Sequence, residues 1–219
     1  MDDRLRPLQR RILRTLAPLD PPWTLTGGGA LAGVYLGHRP TRDLDLFWRE
    51  RAELGPSPAD AQRLLQAGDL DVVALRTAPM FAELRVSDRS DVCIVDLVAE
   101  LAAALEPPQH VTIDEAIVAV DSMHEILVNK LTALLGRVEL RDLQDVRALL
   151  EAGGDLARAL RDAPGKDGGF SAMTLAWVLQ TFEAMPLARA VGWTETDASQ
   201  LDAFRVELIE RLTRASTPG

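Results

Sequence analysis

Gly27-Gly28-Gly29-Ala30-Leu31-Ala32-Gly33-Val34-Tyr35-Leu36-Gly37-His38-Arg39-Pro40-Thr41-Arg42-Asp43-Leu44-Asp45-Leu46-Phe47-Trp48 reads, in order, as loop, helix, turn and strand. A strand, Trp23-Thr24-Leu25-Thr26, feeds three glycines, whose missing side chains let a backbone approach a ligand closely. The spacing predicts a short apolar helix over residues 30–36, with its first N–H groups beside the glycines, an end that suits a phosphate. Pro40 stops the helix and turns the chain. In the strand that follows, side chains alternate, so Asp43 and Asp45 share one face and Leu44 and Leu46 the other. Two carboxylates on one face repel unless a cation sits between them or one takes a proton. A hard divalent ion such as Mg²⁺, which prefers oxygen ligands and keeps waters for substrate phosphates, is the natural occupant.

Outward from this stretch, 219 residues at 47% hydrophobic and 26% charged permit one large domain or two small ones with a real core. Aromatic residues are few, so Leu, Ala and Val do the packing. The single Cys93 excludes an internal disulfide and any cysteine-based zinc site, fits a reducing cytoplasm, and reads as a small core residue. Residues 1–20 have no apolar core of secretory length, and no apolar run is long enough to span a membrane. A net charge of −9 argues against broad, non-specific nucleic-acid binding, though not against a local basic patch.

Leu5, Leu8, Ile12, Leu13 and Leu16 recur at helical spacing and predict an amphipathic opening helix. Ser57 is placed to cap a helix with Ala61, Leu64 and Leu65 inside. Leu70 to Leu75 and Phe81 to Val86 predict a hairpin, Val92 to Val98 a buried strand carrying Asp96, residues 105–109 a loop, and residues 117–120 a last short strand. From Ser122 onward the pattern is helical, which places a domain boundary near Asp121. Ser122 and Glu125 have the spacing of a capping box. Lys130 lies within an apolar stripe, where a lysine ordinarily snorkels outward. Further helices are expected over residues 155–163, 171–184 and 199–214.

The glycine turn, short helix and Asp-x-Asp strand resemble the DNA polymerase β-like nucleotidyltransferase superfamily. The finer pattern, Gly-Gly-x-Ala-Leu before and His-Arg-x-Thr-x-Asp-x-Asp after, resembles its AbiEii-type toxin branch. About ninety residues later, Lys130, Arg137, Arg141, Asp142 and Asp145 resemble the second half of that pattern. The resemblance covers roughly residues 23–152. It implies an α+β fold: a mixed sheet with packed helices in a nucleotidyltransferase core over 1–121, then an all-helical domain over 122–219 closing the active cleft.

The resemblance also implies a chemistry. Mg²⁺ or Mn²⁺ would be held by Asp43, Asp45 and a third acid from a neighbouring strand. Asp96 is favoured for that third acid over Asp91, which sits at its strand's start. Gly27, Gly28 and Gly29, with Arg39 and Thr41, would bind the NTP. Lys130 would reach the triphosphate, and Asp145 would orient Lys130 or a bound water. The family often has Ser or Thr where this chain has Gly29, so one hydroxyl donor is lost. Members act as toxins that modify the 3′ end of tRNA and pair with a winged-helix antitoxin. Two other functions compete: transfer to a small molecule such as an aminoglycoside, and a retained fold that binds nucleotide or a partner protein without catalysis. Intact Asp43, Asp45, Asp96, Lys130 and Asp145 argue against the last. The acidic balance favours the small molecule unless basic residues gather beside the site.

Overall fold

The computed structural model describes residues 4–216. The chain divides into two compact units, Met1–Ile126 and Leu127–Gly219. The first opens with helix α1 (Pro7–Leu16), which has a proline at its start and buries Leu8, Ile12, Leu13 and Leu16 as the periodicity predicts. Then come β1 (Thr24–Thr26), helix α2 (Gly27–Ala30) running into a π-helical turn (Leu31–Tyr35), and β2 (Asp43–Arg49). After α3 (Ser57–Ala67) lie β3 (Asp71–Ala78), β4 (Phe81–Ser87), β5 (Val92–Glu100), β6 (Gln109–Ile113) and β7 (Ala116–Val120). They form a seven-stranded mixed sheet in the order β3-β4-β5-β2-β1-β7-β6. The β2–β5 and β1–β7 pairs are parallel and the others antiparallel.

Alternation along β2 decides the sheet's two faces. Leu44, Leu46 and Trp48 are fully buried, while Asp43, Asp45, Phe47 and Arg49 are half-buried on the opposite face. β5 repeats the pattern, with Cys93, Val95, Leu97 and Ala99 buried and Asp96 among the other set. Fully burying a Leu-sized side chain is worth about 1.5–3 kcal/mol, so a one-residue slip of either strand would expose its whole apolar set and is strongly disfavoured. Burial also pushes the Cys93 thiol up to about 12, in keeping with a core residue and not a nucleophile.

The second half is helical: α4 (Met123–Gly136), α5 (Leu140–Glu151), α6 (Leu156–Asp162) with a 3₁₀ turn, α7 (Ala172–Thr181), α8 (Ala184–Ala190) and α9 (Glu195–Ser216). The α+β class therefore stands: a mixed sheet with helices, then helices alone.

Several local expectations need correction. The glycines do not form a loop before a helix; they are its first turn, with Gly27 at φ +61°. Ser57 opens α3 but caps nothing; Pro56 takes the cap position and the Ser57 hydroxyl is buried without a partner. Residues 109–113, expected as loop and its flank, form the edge strand β6, where Val111 and Ile113 alternate with exposed His110 and Thr112 over too few residues to announce a strand. The Ser122 hydroxyl does accept from Glu125 N at 3.1 Å. The Glu125 carboxylate also accepts from Leu105 N at 2.7 Å and pairs with Arg49 at 3.2 Å.

Candidate active site

β2 and β5 run parallel in register, so Asp45 stands beside Asp96 and Asp43 beside Ile94. Neighbouring strands are about 4.8 Å apart, and paired residues in register project from the same face. Asp43, Asp45 and Asp96 thus share one face of the sheet. Asp96 has one carboxylate oxygen, Oδ1, buried without a hydrogen bond. Its pKa is pushed up to about 7, first by burial and then by Asp45, Glu83 and Asp43. Glu83 is the acid that sequence reasoning missed. It pairs with Asp96 across β4–β5 and is engaged by Arg76. Its place two residues after Phe81 was visible, but only the strand register puts it next to Asp96. Asp91, the rival third acid, is bound instead by Arg6 ahead of the strand.

The glycine turn closes over these acids. A Cβ on Gly27 would lie 2.1 Å from Asp45 Oδ2, so only a glycine backbone fits against that carboxylate. A Cβ on Gly28 would lie 2.8 Å from the Arg39 guanidinium and 3.4 Å from the Thr41 hydroxyl. Gly27, Gly28, Arg39 and Thr41 therefore gather at one edge of the acidic face. Gly29 differs: its Cβ would meet Leu44 at 3.1 Å and Leu25 at 3.3 Å, so a side chain there would press into the apolar core. Gln9, a second residue that sequence reasoning missed, is fully buried in α1 and donates to Thr41 O at 3.2 Å, fixing the turn that leads into Asp43. Thr41 Oγ1 donates to Asp43 O at 3.3 Å.

At the far end of the same β2 face, Arg49 pairs with Asp121 at 2.6 Å and with Glu125, both acids fully buried. The Tyr35 hydroxyl donates to Asp121 O at 2.9 Å, tying the end of the π-helical turn to this cluster.

Lys130, in the second unit, was expected to be a surface-reaching side chain. It is instead buried, with Nζ 2.7 Å from Asp142 Oδ1 and 2.8 Å from Asp145 Oδ2. Burial pulls its pKa down, but Asp145 and Asp142 together outweigh burial and hold it above the ordinary value. Asp142 and Asp145, three apart on α5, are both turned inward by this one ammonium.

The sequence profile of the nucleotidyl transferase AbiEii toxins, a type IV toxin–antitoxin family, matches residues 11–202. The chain belongs to this family. AbiEii-family proteins are nucleotidyltransferases of the polymerase β-like superfamily, and the chain is accordingly an enzyme of that class. Solved structures share its fold. The toxin MenT4 of Mycobacterium tuberculosis aligns over 97% of this chain and 82% of its own, at TM-score 0.61 and 15% identity. JHP933 of Helicobacter pylori aligns over 95% and 92%, at 0.54 and 18%. An antigenic nucleotidyltransferase-like protein of Paracoccidioides brasiliensis aligns over 91% and 94%, at 0.51 and 14%. No protein of curated function matches the sequence. Among the described residues, no helix is long and apolar enough to cross a membrane, and no three His, Cys, Asp or Glu side chains stand grouped as a ready metal site.

Proposed function

We propose that this AbiEii-family enzyme transfers a nucleoside monophosphate from an NTP to the 3′ end of tRNA, with Mg²⁺ or Mn²⁺, as the toxin of a toxin–antitoxin pair. The observation that carries the metal dependence is the orphaned, half-buried Asp96 carboxyl beside Asp45 on the Asp43 face. A carboxyl pushed up to about 7 by burial, and after burial by neighbouring carboxylates, is suited to a cation, which would stabilise its charged form and offset the repulsion of Asp45, Glu83 and Asp43. Asp43, Asp45 and Asp96 would hold the metal, which supplies charge neutralisation of the triphosphate and activation of the acceptor hydroxyl.

The chain's own groups do the rest. The first N–H groups of the glycine turn have no partner one turn back, so those of Gly27, Gly28 and Gly29 are suited to donate to phosphate oxygens. The Arg39 guanidinium over Gly28 adds a charge to the same contact, and the Thr41 hydroxyl, which donates to Asp43 O, would add a donor by turning from that oxygen to the phosphate. Lys130 is assigned to the triphosphate and Asp145 to holding its ammonium. The cognate partner would be a winged-helix antitoxin, and the compartment the cytoplasm.

Incubation with each labelled NTP, Mg²⁺ or Mn²⁺, and total tRNA tests the reading. Label should enter tRNA with one preferred NTP, depend on the divalent ion, and vanish in Asp45→Asn. Label entering an aminoglycoside but not tRNA would replace the acceptor. No transfer to either would reject the reading.

A further inference from the structure

A cavity of about 710 Å³ opens at the Asp43 end of the acidic face, where β2 and β5 both begin. Three arginines and three aspartates line it: Arg6, Arg42, Arg89, Asp43, Asp88 and Asp91. These charges are not equally available. Arg6 is bound to Asp91 and donates to Arg42 O at 3.2 Å and Val92 O at 3.3 Å. Asp88 is occupied within its own turn, accepting from Ser90 N at 2.8 Å, Ser90 Oγ at 2.9 Å and Asp91 N at 2.9 Å. Those bonds, the Ser90 backbone first, hold its carboxyl below the ordinary range. Beside Asp43, the two arginines Arg42 and Arg89 remain. Both are exposed, and among the described residues neither side chain has a hydrogen bond or ion pair. They come from two separate segments, one directly before Asp43 and one in the turn before β5, and converge on one hollow.

We propose that Arg42 and Arg89 form a phosphodiester subsite that seats the backbone of a single-stranded RNA acceptor beside Asp43. This deepens the transfer reading above and rests on it for the identity of the acceptor. A chain of net charge −9 repels a polyanion as a whole, so RNA must be held by a local concentration of positive charge. Two unengaged guanidinium groups beside a proposed catalytic acid supply that, and their planar forks match phosphate oxygens. A cationic aminoglycoside would meet two like charges in the same place.

The test is binding of a short 5′-labelled single-stranded RNA ending in CCA, followed by fluorescence anisotropy across a salt series, with no NTP and with EDTA. Each phosphate contact to a single strand contributes about 0.7 to the logarithmic salt slope. The double variant Arg42→Ala/Arg89→Ala should therefore flatten the slope by about 1.4 and weaken binding about 20-fold near 0.1 M salt. The double lysine variant should keep most of the affinity, and Arg158→Ala, at a half-buried arginine on α6 beside Asp162, should change it less than about twofold. A thermal melt checks that the variants remain folded. Unchanged RNA affinity in the double alanine variant overturns the proposal. So does unchanged RNA affinity with a raised KM for NTP, which would give the pair to the triphosphate. Because binding is read without turnover, an enzyme that transfers nothing but loses RNA affinity in the double variant would fail the transfer reading and still support the subsite.

Discussion

Asp96 has a pKa pushed up to about 7, and burial is the leading cause, ahead of Asp45, Glu83 and Asp43. A folded-state pKa above the unfolded value means that the folded protein holds this proton more tightly. The resulting stability is full below the ordinary carboxylate range and is lost as pH rises through about 7. In EDTA, urea unfolding should show the wild type losing about 1–2 kcal/mol more than Asp96→Asn between pH 5 and pH 8. That is well under the full value of such a shift, because the carboxyl is partly open to water. Identical pH profiles for the two proteins would deny that the folded state holds this proton more tightly. Lys130, whose pKa is raised, contributes stability that is lost only in strongly alkaline solution, so it does not disturb this window. Its removal is another matter. Lys130→Ala removes the ammonium that binds both Asp142 and Asp145, while the Arg137 guanidinium stays 3.6 Å from Asp142, and a broken buried pair costs about 3–5 kcal/mol. A urea midpoint unmoved by Lys130→Ala would contradict the buried ion cluster.

The glycine turn is an element whose shape, more than its hydrogen bonds, decides what it does. Gly27 combines a positive φ of 61° with a Cβ position overlapping the Asp45 carboxylate. Gly55 has nearly the same φ, 56°, with nothing within 4 Å of its Cβ position. Gly55→Ala should therefore report the backbone strain alone, about 1 kcal/mol. Gly27→Ala should cost more and abolish transfer, because Asp45 must move. Comparable melts and comparable activity for the two variants would reject the close packing of turn and acid. Gly29→Ser, which restores the residue common in the family, should lower stability by about 1–3 kcal/mol through crowding against Leu44 and Leu25. A stable Gly29→Ser enzyme with a lower KM for NTP would show instead that the hydroxyl turns out of the core.

At the scale of the whole molecule, a ligand that binds only the folded state stabilises all of it. NTP with Mg²⁺ at about 100 times its Kd should add about 2.7 kcal/mol, and calorimetry should show that gain disappear in Asp43→Asn or Asp45→Asn. Both variants should otherwise melt at or above the wild-type midpoint, since each removes one of a set of repelling acids. A full ligand-induced gain in either variant would reject those acids as ligands. Periodicity along the chain was enough to determine α1, the strand face that Asp43 shares with Asp45, the buried β5 and the change to helices after Ser122, because each rests on contacts between near neighbours. The same local logic failed at β6 and α8, which are too short for two apolar positions each, Val111 and Ile113 or Ala184 and Ala188, to stand out as a rhythm. It failed again at Ser57, where neighbouring residues cannot say that Pro56 will take the cap. Only tertiary structure decided that Asp96 stands beside Asp45, that Glu83 joins them, that Gln9 holds Thr41, that Lys130 is buried between Asp142 and Asp145, and that Arg42 and Arg89 meet at Asp43. Those pairings depend on strand register and on segments far apart in the chain coming together. The free energy that fixes them is the burial of whole faces, which no local pattern encodes.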